Sequence, residues 1–330
     1  MVEVFIYYFS GTGNAKKIAF WFSEFAKKKG LEPKLFDIAK KDVLSLKEIP
    51  SSALIMFISP IHGFNFPEIT LRFIKNFPKG KNRVVLMNTR AGLKLGRFVT
   101  PGLTGIAFYL STLLLKIKGY KISGMIPFDM PSNWISLHPA LKQNAKDYLA
   151  QVNYQRVEKH AEKIYSGKSD FYACREIIID LLISPIALAY FILGRFIIAK
   201  SFYANDQCNV CGLCVRECPV QAIRMVNQRP FWTLHCQNCM KCFNRCPQKA
   251  IEAAHGLFLI TSIVYSVLAS LLFNSFIKIK SPFMDWMVTS ILFLMLLLSF
   301  YQVQHLLLKN KTIAKIISKT SLTHYQFWRH

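Results

Sequence analysis

Acidic residues are scarce in this chain of 330 residues: Asp and Glu number 18 against 42 Lys and Arg, a formal charge of +24. Such a balance suits anionic lipid, nucleic acid or an acidic protein partner. Nucleic acid is the weakest of the three, because no helix-turn-helix, RNA-binding aromatic signature or zinc-finger histidine spacing accompanies the lysines. A basic leader is also missing. The opening MVEVFIYYFSGTG runs straight into a strand and a glycine turn, which argues against a secretory signal peptide. Polar residues are fewer than a globular chain of this size carries: 52% are hydrophobic and mean hydropathy is positive, so some apolar surface is expected to meet lipid.

What the chain does have is cysteine in a pattern. Eight of its nine cysteines fall into CNVCGLCVRECP (Cys208 to Pro219) and CQNCMKCFNRCP (Cys236 to Pro247), each reading C-x2-C-x2-C-x3-C-P. A 4Fe-4S cube needs a thiolate at each corner; three closely spaced cysteines wrap three corners while the fourth points to a neighbouring cube. Paired C-x2-C units also occur in zinc sites and disulfide frameworks. Neither explains a run that repeats with a proline after each fourth cysteine, and thiols at this density stay reduced only in a reducing compartment. The two runs resemble the bacterial two-cluster ferredoxin family. That resemblance implies that Cys208, Cys211, Cys214 and Cys246 hold one cluster and Cys236, Cys239, Cys242 and Cys218 the other. Val220, Ile223, Met225 and Ile251 are expected to shield the cubes. Cys174 stands apart and is read as packing; His235 lies outside the ligand spacing.

At the amino terminus Glu3 to Phe9 is an apolar, β-rich run followed by SGTGNAKKIAFWFSEFAKKKG, a glycine turn opening an amphipathic helix. Gly11 and Gly13 let the backbone close on an anion, while Ser10, Thr12 and Asn14 add donors at a helix amino terminus. A Walker loop would need G-x4-G-K-S/T, and a dinucleotide fingerprint a third glycine where Lys16 stands. The donor density fits a compact monophosphate better than a pyrophosphate. This stretch resembles the flavodoxin fingerprint, which implies flavin mononucleotide (FMN), although Ala15 stands where flavodoxins usually place a threonine. Asp37 keeps a nicotinamide-dinucleotide reading open, and a plain structural turn is the third alternative.

SALIMFISPIHGFNFP and RVVLMNTRAG supply two further strands. In an open α/β sheet, ligands sit beyond the carboxyl ends of strands. The loops with His62, Gly63 and Phe64 and with Thr89, Arg90, Ala91 and Gly92 are therefore expected to face the flavin ring, Phe64 or His62 lying against it and Arg90 near its negative charge. Asn133 and Trp134 are read equally as flavin contacts or loop packing. A helix near Pro139 to Tyr165 is expected to complete a five-strand doubly wound domain.

GLFLITSIVYSVLASLLF (256–273) and WMVTSILFLMLLLSFYQV (286–303) are uncharged and approach the length that crosses a bilayer. Phe283, Trp286 and Tyr301 lie where aromatic belts form. Lys278 and Lys280 are set against Lys309, Lys311, Lys315, Lys319 and Arg329, which favours a hairpin running in, out, in, with both cofactor domains facing the cytoplasm. Lys309 to Lys319 could also form a basic interfacial helix. Asp180, Pro185 and Arg195 interrupt the run Ile177 to Lys200, read as an interfacial linker rather than a third span.

The expected architecture is thus an α/β flavodoxin-like doubly wound domain (1–166), an apolar linker (167–203), an α+β two-cluster ferredoxin domain (204–255), a transmembrane α-helical hairpin (256–303) and a basic cytoplasmic tail (304–330). The whole resembles bacterial flavodoxin–ferredoxin fusion proteins. By that resemblance it is a membrane-anchored electron-transfer iron–sulfur flavoprotein with FMN and two 4Fe-4S clusters, partnered by membrane lipid and a redox protein or small carrier. An NAD(P)H- or quinone-linked oxidoreductase and a non-catalytic redox sensor are the alternatives. No second nucleotide motif and no output domain are visible, and no catalytic residue is assigned.

Overall fold

The computed structural model describes residues 2–40, 49–96, 98–275 and 281–329. The chain divides into two units, one of residues 1–133 and 141–191, the other of 134–140 and 192–330.

The first unit is built on β1 (Glu3–Tyr8), α1 (Asn14–Lys28), β2 (Glu32–Asp37), β3 (Leu54–Pro60), α2 (Glu68–Asn76), β4 (Arg83–Leu95), β5 (Phe98–Thr100), α3 (Ala107–Ile117), β6 (Lys121–Pro131) and α4 (Gln143–Tyr165). Five strands pair in parallel in the order β2-β1-β3-β4-β6, and β5 turns back antiparallel on the end of β4. This is the flavodoxin-like doubly wound order, whose ligand crevice opens at the β1/β3 switch point. Near-continuous apolar runs form β1 and β3 because helices cover both faces of a parallel sheet. On α1, Ile18, Phe22 and Phe25 recur at helical spacing and pack with Met56, Val85 and Phe128 in one core. Each such side chain contributes roughly 1.5–3 kcal/mol by burial.

Two expectations need correction here. β4 does not end at Asn88. It continues through Thr89, Arg90, Ala91 and Gly92, pairing with β6 as far as Gly92–Pro131. Gly92 serves close approach, since a Cβ there would lie 2.5 Å from the Asp129 carbonyl oxygen. The helix expected near Pro139 begins only at Gln143, after an extended Lys142, and Trp134–Ala140 belongs to the second unit.

A helical stretch from Tyr172 to Ile198 follows: a 3-10 turn (Tyr172–Glu176), α5 (Ile177–Ala189), a π turn (Tyr190–Gly194) and α6 (Arg195–Ile198). Pro185 does not break it. This stretch and α10 (Pro282–Leu307) are long and apolar enough to cross a membrane by length and composition. In α5 one face meets protein: Asp180 and Ala187 are buried, whereas Ile178, Leu181, Leu182 and Ile186 are exposed.

The second unit has short strands: β7 (Phe202–Ala204) pairs with β10 (Ile251–Ala253), and β8 (Ile223–Val226) with β9 (Arg229–Trp232), all antiparallel. Between them lie α7 (Leu213–Arg216) and α8 (Lys241–Arg245). The hairpin is α9 (His255–Ser275) and α10, whose last turns are not a lipid-facing end. Leu297 and Tyr301 are buried in a core with Tyr203, Ala254 and Leu257, and the Tyr301 hydroxyl donates to the Phe202 carbonyl (3.0 Å) and accepts from the Trp232 amide (3.2 Å). Tyr301 is therefore a core residue rather than part of an aromatic belt. Lys278 and Lys280 lie outside the described residues. The tail is not free either. After α11 (Lys311–Lys319), Ser321 and Thr323 bond the backbone of Ala253, and in α12 (Gln326–Arg329) the Arg329 guanidinium donates to the carbonyls of Lys249 and Ile251.

Candidate cofactor sites

In the first unit the loop after β1 delivers Ser10 to Asn14 to the amino end of α1. Gly13 sits at φ 104°, which glycine adopts without strain. No side chain caps this helix end, so its first amides face outward with the positive end of the helix dipole. Ser10 Oγ accepts from the Gly13 amide (3.0 Å), and Thr12 Oγ1 accepts from Asn133 Nδ2 (2.7 Å). Both hydroxyl oxygens are thus engaged as acceptors, which leaves their protons to be donated to an anion. Asn14 Nδ2 instead donates to the Pro131 carbonyl (2.7 Å) and ties the loop to the end of β6. Ala15 is buried in the core. Asp37 Oδ1 accepts from the Ala39 amide (3.0 Å), so this carboxylate closes a turn.

Across the switch point, the loop after β3 makes a tight turn in which His62 and Asn65 exchange backbone hydrogen bonds. Gly63 (φ 55°) and Phe64 (φ 63°) are both left-handed. Phe64 is strained there, and strain of this kind persists where surrounding structure enforces it. The Ile106 amide bonds the Phe64 carbonyl (3.0 Å). Tyr190, the first residue of the π turn, lies so close that a Cβ on Gly63 would be 2.1 Å from its ring. Sequence reasoning missed Tyr190, although π turns recur at functional sites.

Arg90 takes another role than the one expected of it. Its side chain is buried, with Nε donating to Asp129 Oδ1 (2.7 Å), Nη2 to Glu176 Oε1 (2.9 Å) and Nη1 to Thr104 Oγ1 (3.2 Å). Arg156 Nη1 holds the other Asp129 oxygen (2.9 Å). Burial opposes the Arg90 charge, but Glu176 and Asp129 outweigh it and raise the pKa. No donor remains for a flavin. Thr89 and Gly92 are likewise buried within β4, while Ala91 is exposed.

In the second unit the cysteines assemble as two quartets. Cys208, Cys211, Cys214 and Cys246 line one cavity with Met225, Pro230 and Ile251. The field at Cys242 comes from Cys236, Cys239 and Cys218, which form the other. Among the described residues no three His, Cys, Asp or Glu side chains close on a single ion; Cys208, Cys211, Cys214 and Cys246 border a common cavity instead. The backbone that aims them repeats. Val210, Gly212 and Gln221 are left-handed, and so are Asn238, Met240 and Lys249 at the equivalent places in the second run. The Ala222 amide donates to Cys218 Sγ (3.2 Å) and the Ala250 amide to Cys246 Sγ (3.4 Å). Such bonds to sulfur tune a cluster.

Burial pushes the Cys236 thiol up to about 12 and those of Cys214 and Cys239 up to about 11. Thiolates in such surroundings call for positive charge, which iron supplies. Ile223 and Ile251 are buried with the cysteines, together with Phe202, Trp232 and Phe243. The indole Nε1 of Trp232 is fully buried and turned to the Cys242 sulfur, whose charged form it favours. A donor aimed at that sulfur fits a cluster. Trp134 belongs to this unit, donating through Nε1 to Asn238 Oδ1 (2.5 Å). His235 and Cys174 are both exposed, which corrects the packing role expected of Cys174.

Residues 207–251 match the family model of the 4Fe-4S dicluster domain. No curated protein matched the chain. Among solved structures, the chain is similar to flavodoxin 1 of Bacillus cereus (12% identity, 48% of this chain, 98% of the other, TM-score 0.29). It is also similar to Megasphaera elsdenii flavodoxin (16%, 46%, 98%, 0.29) and to general stress protein 14 of Treponema denticola in complex with FMN (11%, 50%, 96%, 0.31). The fold assignment rests on the strand order and register. The chain therefore joins a flavodoxin-like parallel-sheet unit to a 4Fe-4S dicluster domain.

Proposed function

We propose that this protein is a membrane-attached iron–sulfur flavoprotein that carries electrons between FMN, two 4Fe-4S clusters and an external redox partner. When bound, FMN supplies a carrier for one or two electrons and each cube a carrier for one. Ser10, Gly11, Thr12, Gly13 and Asn14 hold the phosphate, and the turn at His62, Gly63 and Phe64 borders the ring. Cys208, Cys211, Cys214 and Cys246 hold the first cluster; Cys236, Cys239, Cys242 and Cys218 hold the second. The observation that carries this reading is the crossing of the two runs, in which Cys246 of the second closes the cavity of the first.

Attachment to the bilayer rests on the exposed apolar faces. The bare side of α5 supports a helix lying along the lipid surface, and exposed Phe283, Trp286 and Met295 support insertion of the α9–α10 hairpin. The lysines of α11 favour the cytoplasmic side for the cofactor units. A cleft of about 950 Å³ beside Cys246, bordered by Lys249, His324 and Arg329, suits an acidic partner. An anaerobic preparation from membranes tests the reading: about eight irons per chain with extractable FMN are expected, and a protein lacking either refutes it. Turnover of NAD(P)H or a quinone would make it a reductase instead.

A further inference from the structure

Lys200 is a cation held away from solvent. Its side chain is 3% exposed, in a unit where most lysines are on the surface. Nζ donates to the Trp232 carbonyl and lies 4.4 Å from the ring centroids of both Phe231 and Tyr301. Among the described residues no carboxylate pairs with it; it is tied instead to Trp232, which packs in one core with Cys218, Cys236 and Cys242. An ammonium without a counter-ion costs several kcal/mol to bury, which one carbonyl and two ring faces offset only in part, and a neutral side chain of that length would fill the same space.

Burial pulls its pKa down to about 8. The second quartet sits with three groups: the Lys200 ammonium bonded to the Trp232 carbonyl, the Trp232 indole N–H beside Cys242, and the Tyr301 hydroxyl that fixes the Trp232 backbone. Ala204 occupies the place equivalent to Trp232 in the first run. The first quartet has its own cation in Arg329, near Cys246, but that guanidinium is spent on three backbone carbonyls.

We infer that Lys200 is the counter-charge of the second cluster: its ammonium stabilises the added negative charge of the reduced cube bound by Cys236, Cys239, Cys242 and Cys218 and so raises that cluster's reduction potential. Lys200 is a positioning residue, touching the cluster only through its field and through Trp232. The inference rests on the dicluster reading and goes beyond it by assigning the control of one of the two potentials.

The test is an EPR-monitored redox titration of the full-length protein, with the second cluster identified by its loss in Cys218→Ser. In Lys200→Met the second cluster should become harder to reduce, the reduced-to-oxidised ratio at a fixed potential falling at least tenfold, about 59 mV for one electron. The first cluster is the internal reference and should not move. Lys200→Arg should keep the wild-type potential. Loss of the second cluster in Lys200→Met with retention in Lys200→Arg gives the same answer, since it too shows a need for charge. An unchanged potential in a two-cluster Lys200→Met protein, or equal shifts or losses in both variants, overturns the inference alone. Wild-type protein without two clusters overturns the dicluster reading as well.

Discussion

The two units position their cofactor-binding residues by opposite means. In the parallel-sheet unit, the five parallel strands of 6 to 13 residues hold long registers around an aromatic-rich core, and the phosphate loop is placed by regular structure on either side of it. The dicluster unit pairs strands of 3 or 4 residues, far less than independent stability demands. Among the described residues its backbone also carries all but one of the non-glycine left-handed positions, the exception being Phe64. A core can thus be made of side chains or of inorganic cubes; where cubes do the work, the polypeptide tolerates strain that a sheet would not, because metal binding is itself folding free energy.

The sharpest way to break this comparison is to remove a ligand. Cys246→Ser should empty the first cluster and leave the second, reducing iron from about eight to about four per chain; Cys218→Ser should do the reverse. Iron analysis with EPR reads both, and a Cys246→Ser protein that lost only the second cluster would invert the pairing. In the other unit the equivalent injury is to the buried ion hub. Arg90→Met strands Asp129 and Glu176, and should lower stability by about 3–5 kcal/mol in chemical denaturation while the cluster spectrum persists. A milder lesion tests the phosphate loop: Gly13→Ala, at φ 104°, should weaken FMN binding to flavin-free protein about tenfold, with unchanged affinity counting against the loop.

The smallest effect is one of pH. His160 is buried against Asp170 (2.7 Å), and burial lowers its pKa from 6.5 despite that bond. The unfolded chain then binds more protons than the folded one just below pH 6.5, so His160 contributes stability above that pH and loses it as the pH falls toward the lower folded value. Denaturation of the parallel-sheet unit between pH 5 and 7 should show the slope, and His160→Gln should flatten it.

Much of this was legible in the sequence because the signals are local. The repeated spacing of eight cysteines carries the ferredoxin resemblance that implies their grouping, and the apolar run into SGTGN marks a strand, a loop and a helix within two dozen residues. What stayed hidden depends on residues far apart in the chain. Asn88 to Gly92 look like a loop because Asn and Gly usually break strands, yet Gly92 is there to admit the Asp129 backbone. Arg90 reads as a ligand-facing cation until Asp129 and Glu176 come to meet it. Trp134 adjoins Asn133 in sequence, but Trp134 packs with the cluster core and Asn133 bonds Thr12. Val210 and Met240 carry no mark of left-handed backbone, though Gly212 and Asn238 beside them do.

Tyr301 gives the hairpin a second meaning. One phenol oxygen clasps the strand carrying Phe202 and the strand carrying Trp232 to the final turns of α10. Sliding that helix by even a single residue would pull the clasp apart and shift the indole beside Cys242. Displacement of α10 is consequently delivered to the wall of the second cysteine quartet, so the apolar helix and the cluster cavity share a hinge pin.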